Sequence, residues 1–179
     1  MVDIAKCVCE KRPDVCFLVC GIGHLSNSLK LKAQNFGLLR NFEFLGYVDR
    51  ERILKLYQNA ALLVQPSAHE GLSTVVLEAM SCGLPVVAYD IPGNRQVISS
   101  GTNGILVPLK SHESMAHSIL ELLNNETQRE QIGKIARRTI TDRYSWDKIS
   151  DKMMTCYESL LKNETSKTSF SSAQSGNNY

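Results

Sequence analysis

The sequence predicts an α/β fold, a parallel β-sheet covered by helices on both faces. Three observations predict it. Five short apolar runs recur along the chain, at residues 16–20, 42–45, 61–65, 85–88 and 104–107. Longer stretches with helical spacing of apolar residues separate them, and strands alternating with helices are the pattern of a parallel sheet. Turn and cap residues (Gly37, Asp49, Gly83, Ser111, Ser145) fall where one period gives way to the next. At 179 residues the chain can bury one real core.

Taken in order, residues 3–11 read as the end of a helix and residues 16–20 as a buried strand. Residues 29–36 form a helix stopped by Gly37, because glycine tolerates the left-handed conformation that ends helices. A short strand follows at 42–45. Asp49 caps a helix running to about Ala60, since its carboxylate can accept from a free first-turn N–H. The strand at 61–65 leads to a helix starting near Ser73 or Thr74 and ending at Gly83. Val75, Val76, Ala79, Met80 and Cys82 share its buried arc, with Glu78 at the edge. After strands at 85–88 and 104–107, Ser111 opens a helix with Met115, Ile119 and Leu122 on one face. Another helix spans about 127–141. Ser145 caps the last, whose Trp146, Ile149, Met153, Tyr157 and Leu160 form an apolar stripe. The folded domain is therefore expected over 1–161. Residues 162–179 are polar and rich in Ser and Asn, the composition of a disordered tail.

Composition excludes several function classes. A net charge of +2 is too small to favour nucleic acid as a partner. No stretch has the length and apolarity of a membrane span and no signal peptide is evident, so cytoplasmic placement is expected, with at most peripheral association at the cytoplasmic face of a membrane. The six cysteines lie mostly in apolar patterns and suit a reducing compartment. Cys7, Cys9, Cys16 and Cys20 are spaced C-x-C-x6-C-x3-C, which is no standard zinc arrangement, so no metal site is expected.

The chemistry concentrates in one stretch. Residues 70–78 read E-G-L-S-T-V-V-L-E, followed by A-M-S-C-G-L-P-V-V-A. Glu70 stands in a loop after the third strand; Glu78 stands about a turn and a half into the next helix. Free N–H groups at a helix start hold anions, and Gly71 lets a ligand approach the backbone closely. Ser73 or Thr74 can cap the helix. Carboxylates accept hydrogen bonds from the vicinal diols of ribose or a hexose. Read by spacing alone, two solvated glutamates and a Ser-Thr cap are the commoner arrangement by roughly two to one, because paired glutamates are frequent and short motifs recur by chance.

The stretch 65–88 resembles the signature of glycosyltransferase family 4, retaining enzymes of the GT-B fold, which carry E-x7-E within P-S-x-x-E-G…E-A-M-A-x-G-x-P-V-V-A. Pro66, Ser67, Glu70, Gly71, Leu72, Leu77, Glu78, Ala79, Met80, Gly83, Pro85, Val86, Val87 and Ala88 match it. Further similarities follow in the family's order: R-P-D-V-C-F-L-V-C-G-I-G, F-E-F-L-G-Y-V, Y-D-I-P-G-N-R-Q-V-I, N-G-I-L-V-P and R-Y-S-W. The resemblance implies the C-terminal, donor-binding half of a GT-B enzyme, with a Rossmann-like sheet. It implies transfer of a glycosyl unit from a nucleotide sugar, such as a UDP- or GDP-sugar, to an acceptor hydroxyl in polysaccharide or glycolipid synthesis.

By the same resemblance Glu70 is the catalytic residue, contacting the transferred sugar, and Glu78 holds the ribose. Gly71, Leu72, Ser73 and Thr74 cradle the donor diphosphate. Tyr47 and Val48 lie against the base, Gly21 and Gly23 pass nearby, and His69 adjoins Glu70. Asn94 and Arg95 fix the loop after the fourth strand of this chain, and Gln96 stands where many relatives have an acidic residue. Ser26 occupies the third-glycine position of a dinucleotide fingerprint, against an NAD site. No cofactor or metal is expected, since helix amides serve the diphosphate and no D-x-D motif is present. Relatives also carry an upstream G-R-L…K-G loop and an N-terminal acceptor domain that this sequence does not contain. The chain is therefore expected to bind donor and to transfer essentially nothing alone. Two alternatives stay open: a non-catalytic nucleotide-sugar-binding module that pairs with a separate acceptor domain, and a UDP-sugar epimerase of GT-B type.

Overall fold

A computed structural model describes residues 1–172, with side chains described through residue 161. Thirteen named elements follow one another: α1 (Val2–Cys9), β1 (Phe17–Cys20), α2 (Ser26–Asn35), β2 (Phe42–Gly46), α3 (Arg50–Asn59), β3 (Leu63–Gln65), α4 (Thr74–Ser81), β4 (Val86–Tyr89), α5 (Pro92–Arg95), β5 (Ile105–Val107), α6 (His112–Asn124), α7 (Glu126–Arg143) and α8 (Trp146–Ser172). Every strand pair is parallel, and helices connect the strands as the sequence predicts. No described helix is long and apolar enough to cross a membrane.

Local chemistry explains the boundaries. The Asp49 carboxylate accepts from Arg52 N–H at 2.8 Å, and Ser111 Oγ accepts from Ser114 N–H at 3.4 Å, so both caps form as expected. Gly83 ends α4 with φ of 76°. Its N–H donates to Met80 C=O and that of Leu84 to Ala79 C=O, the paired bonds of a Schellman stop. Asn125 Oδ1 accepts from Gln128 N–H, so the N-E-T run at 125–127 is the start of α7. The short helix α5 lies where the sequence shows only a loop, with Pro92 at its first position.

The sheet departs from one continuous ladder. Strand β1 pairs with β2 (Phe17 opposite Phe42), while β3, β4 and β5 form a second ladder (Leu63 opposite Val86, Val87 opposite Ile105). Strand β4 has neighbours on both sides and is buried at all four positions. Strand β1, expected to be buried, is so only on one side: Phe17 is in the core and Val19 half-buried, but Leu18 is 41% exposed and Cys16 and Cys20 are open to solvent. A buried parallel strand needs a partner on each edge and cover on each face.

The principal core joins α1 (Ile4, Ala5, Val8), β4 (Val87, Tyr89) and α6 (Met115, Ile119, Leu122). In α4, Val76, Ala79 and Met80 are buried as predicted; Val75 stays exposed because it lines an open cavity, and Cys82, one position past the end of α4, is half-buried. The described residues form two compact units, one over residues 1–140 and one that begins at residue 141. Helix α8 runs to Ser172, past residue 162 where the polar tail was expected to begin; residues 173–179 lie outside the described residues. The predicted apolar stripe of α8 is exposed at Trp146, Met153, Tyr157 and Leu160.

Candidate functional site

The carboxyl ends of the strands converge near the start of α4, as ligand sites of such folds do. Two open cavities lie there. One, of 470 Å³, is lined by Ala68, His69, Glu70, Gly71, Ile91 and Pro92. The other, of 560 Å³, is lined among others by Gly21, Tyr47, Val48, Gln65, Pro66, Val75 and Glu78. The structure thus separates the two glutamates: Glu70 faces one cavity and Glu78 the other.

Gln65, at the end of β3, links the two sides. Its Nε2 donates to Glu70 Oε1 at 3.3 Å and to Ser73 Oγ at 3.1 Å. Ser73 occupies the N-cap position of α4, yet its side chain makes no capping bond. The expected Ser/Thr cap is therefore absent, because Gln65 draws the Ser73 hydroxyl away. The first intrahelical bond of α4 runs from Leu77 N–H to Ser73 C=O at 3.1 Å. The N–H groups of Thr74, Val75 and Val76 consequently have no partner inside the helix, which leaves a locally positive end.

Glu78 is held from a neighbouring helix. The Tyr57 hydroxyl of α3 donates to Glu78 Oε2 at 3.3 Å. Burial, and then the adjacent Glu78 charge, push the Tyr57 phenol well above its ordinary range, so it stays protonated and remains a donor.

The Glu70 loop is held by α5. Gly93 packs so tightly that a Cβ there would collide with the carbonyl oxygens of Glu70 and Gly71. Asn94 is buried and donates from Nδ2 to Tyr89 C=O at 2.8 Å, while its Oδ1 is buried without a hydrogen-bond partner. Arg95 grips Asp90 through Nε at 2.5 Å and a second bond at 2.9 Å. That guanidinium holds the Asp90 carboxyl below its usual range. Asn94 and Arg95 thus anchor the turn after β4, as the sequence suggested.

The remaining predicted positions fall as follows. Gly21 adopts φ of 115° and donates its N–H to Gly46 C=O at 2.6 Å, tying the ends of β1 and β2 together. Tyr47 is 77% exposed beside Val48 at the cavity rim. Gly23, Leu72 and Thr74 lie in exposed segments and line neither cavity. Sequence reasoning missed Gln65, Tyr57 and Gly93 as parts of the site. The Pro-Gly pair at 92–93 was the one local signal; the other two act across the fold.

Comparison with known proteins shows the family. Residues 1–139 match the family model described as glycosyl transferases group 1. An uncharacterised glycosyltransferase of Methanocaldococcus jannaschii is 31% identical over 152 residues, covering 85% of this chain and 39% of that relative. A TarM variant from Staphylococcus aureus, crystallised with fondaparinux, α-GlcNAc-glycerol and UDP, superposes with a TM-score of 0.81 at 30% identity. That match covers 86% of this chain and 31% of the other. The C-terminal domain of a glycosyl transferase group 1 family protein from Francisella tularensis gives a TM-score of 0.73 at 25% identity. It covers 81% of this chain and 77% of that domain. The chain spans well under half the length of the first two relatives. With a parallel α/β fold shared with GT-B glycosyltransferases and a family model matched over most of its length, the chain belongs to the glycosyl transferases group 1 family.

Proposed function

We propose that this chain is the donor-binding half of a retaining glycosyltransferase of family 4, which moves a glycosyl unit from a nucleotide sugar to an acceptor hydroxyl. The observation that carries this reading is the placement of Glu70 and Glu78 in two cavities on either side of the uncapped start of α4. A diphosphate at the helix start would meet the N–H groups of Thr74, Val75 and Val76, with Gly71 and Leu72 in the approaching loop. In this reading helix amides, rather than a metal ion, meet the phosphate charge. Glu78, held by Tyr57, accepts from the ribose hydroxyls, and the base rests against Tyr47 and Val48 near Gly21. The sugar then points toward Glu70 and His69, where a carboxylate stabilises positive charge developing at the anomeric carbon.

Two comparisons support a nucleotide-sugar donor and a glycan-type acceptor. The TarM variant was crystallised in complex with UDP, α-GlcNAc-glycerol and fondaparinux, and a relative 30% identical to this chain is a poly(ribitol-phosphate) α-N-acetylglucosaminyltransferase of Staphylococcus aureus. Acceptor recognition belongs, in this reading, to a domain outside these 179 residues, so this chain alone binds donor without transferring sugar. The reaction is set in the cytoplasm and serves polysaccharide or glycolipid synthesis.

Thermal-shift titration with UDP, GDP and ADP, beside Glu78→Ala, tests it. A nucleotide at 100 times its Kd adds about 2.7 kcal/mol and raises Tm by several degrees. The expected result is a shift with one nucleotide that Glu78→Ala removes. No shift with any of the three contradicts donor binding by this half.

A further inference from the structure

One carboxamide joins the end of β3 to the start of α4. Gln65 closes β3, where it stands opposite Ala88 of β4, so the sheet fixes its backbone. Its side chain reaches across the loop of residues 66–72 and donates from Nε2 to Glu70 Oε1 at 3.3 Å and to Ser73 Oγ at 3.1 Å. A carboxylate can only accept, so the nitrogen end of the amide must face it, and both Nε2 hydrogens are then committed. The loop backbone is held from elsewhere, because Gly93 packs against the carbonyl oxygens of Glu70 and Gly71. Gln65 is half-buried and lines the 560 Å³ cavity of Glu78. One side chain thus touches the cavity of one glutamate and the carboxylate of the other.

The state of Ser73 is the unusual part. Its backbone is extended, with φ of −74° and ψ of 110°, as an N-cap position requires, and serine is among the best caps. A serine so placed ordinarily accepts from the N–H of the second or third helical residue, here Val75 or Val76. Ser73 makes no such bond; its Oγ, in a residue only 4% exposed, accepts from Gln65 instead. The N–H groups that open α4 are therefore all left without a partner inside the helix. The Ser73 oxygen serves as an acceptor toward Gln65, so its hydroxyl hydrogen stays available to donate. An unmade cap costs helix stability, and it leaves the positive end of α4 fully open to an anion.

We propose that Gln65 is a positioning residue for donor binding: by holding the Ser73 hydroxyl, it keeps the start of α4 uncapped and open to the donor's diphosphate. This rests on the reading of that helix start as the diphosphate site. Gln65 acts through Ser73 and needs no contact of its own with phosphate. Bonds from the Val75 and Val76 N–H groups to phosphate oxygens are charge-assisted and take the place of the cap that Ser73 does not make. The cost falls on the free chain and the gain on the liganded one. A chain without the amide should therefore be more stable when free and poorer at binding. A Gln65 that merely tied the Glu70 loop in place would have the opposite signature, since removing a tie destabilises.

Gln65→Leu tests this, beside Ser73→Ala and the double variant. In free Gln65→Leu the Ser73 hydroxyl is released to cap α4, so Tm should rise by about 2–4 °C. Amide hydrogen exchange at Val75 or Val76 should slow at the same time. UDP, GDP and ADP are titrated in turn, and whichever binds the unaltered chain should bind Gln65→Leu about three- to tenfold more weakly. With Ser73→Ala already in place, Gln65→Leu should bring neither the rise in Tm nor the slower exchange. Gln65→Met, which keeps the side-chain length, repeats the measurements should Gln65→Leu not fold. A lower Tm with unchanged exchange at Val75 and Val76 would overturn the inference and leave Gln65 a tie for the loop. Unchanged nucleotide affinity in a variant whose helix start has become protected would overturn it too. No binding by the unaltered chain would overturn the donor site itself, while Tm and exchange would still show whether Gln65 holds the cap open.

Discussion

The Tyr57 hydroxyl donates to Glu78 Oε2 at 3.3 Å, a bond between α3 and α4 that orients the carboxylate over the larger cavity. Tyr57 is itself buried, so the orienting group is fixed by packing while Glu78 stays open to a ligand.

Tyr57→Phe removes that donor at little cost in volume. A hydrogen bond of this kind contributes about 1 kcal/mol, so nucleotide affinity should fall roughly three- to tenfold, measured by calorimetric titration. The substitution should also alter behaviour in base. Because the folded-state pKa of Tyr57 is raised above its unfolded value of 10.0, the folded protein holds this proton more tightly. Its contribution is complete below about pH 10 and is lost as pH rises beyond that. Urea midpoints should therefore fall less steeply above about pH 10 in Tyr57→Phe than in the unaltered chain.

Gly93→Ala should disturb the Glu70 loop without touching any carboxylate. The new methyl meets the backbone oxygens of Glu70 and Gly71, which cannot yield as a flexible side chain would. Overpacking of this sort costs about 1–3 kcal/mol. Tm should drop by roughly 4–8 °C for a cost near 2 kcal/mol, and a methyl at the exposed Gly71 should cost far less.

The two glutamates should separate by ligand. Glu78→Ala should weaken a bare nucleotide about tenfold or more, since bonds to charged groups contribute about 1.5–3 kcal/mol. Glu70→Ala should leave the bare nucleotide unaffected and weaken only the nucleotide sugar. Titrating both variants with both ligands checks the assignment, and equal losses for the two ligands in Glu70→Ala would contradict it.

In acid, Asp14, Asp3 and Asp90 act together. Arg12 holds Asp14 down to about 2, Lys32 lowers Asp3, and Arg95 lowers Asp90. Their folded pKa values lie below the unfolded value of 3.8, so their contribution is present above about pH 4. It is lost as pH falls from there toward about 2. Urea midpoints should decline across that window, less steeply in Arg12→Ala and in high salt, because the pairs are exposed and screened.

The sequence made the order of helices and strands legible because caps and stops act within a few residues. Asp49 with Arg52 and Gly83 with Met80 are bonds of that range. The E-x7-E stretch likewise pointed to the start of α4, where Glu70 and Glu78 line two separate cavities. What stayed hidden acts at a distance. Tyr57 looks like any helical aromatic until α3 packs beside α4, and Gly93 matters because a loop more than twenty residues earlier presses against it. Gln65 reads as the end of a strand, yet it takes the hydroxyl that would have capped α4. Residues 16–20 have the composition of a buried strand, and local pattern cannot reveal that β1 is paired along one edge, toward β2. The stripe on α8 shows the same limit: helical spacing predicts an apolar face but not what covers it.

The most direct test of a donor site built around α4 is a 15N chemical-shift titration with the nucleotide that gives the largest thermal shift. The account predicts coincident perturbation of the amides of Gly71 to Val76 and of Gly46 to Val48, saturating with one Kd and absent in Glu78→Ala. Perturbation confined to other surfaces, or unchanged in that variant, would contradict it.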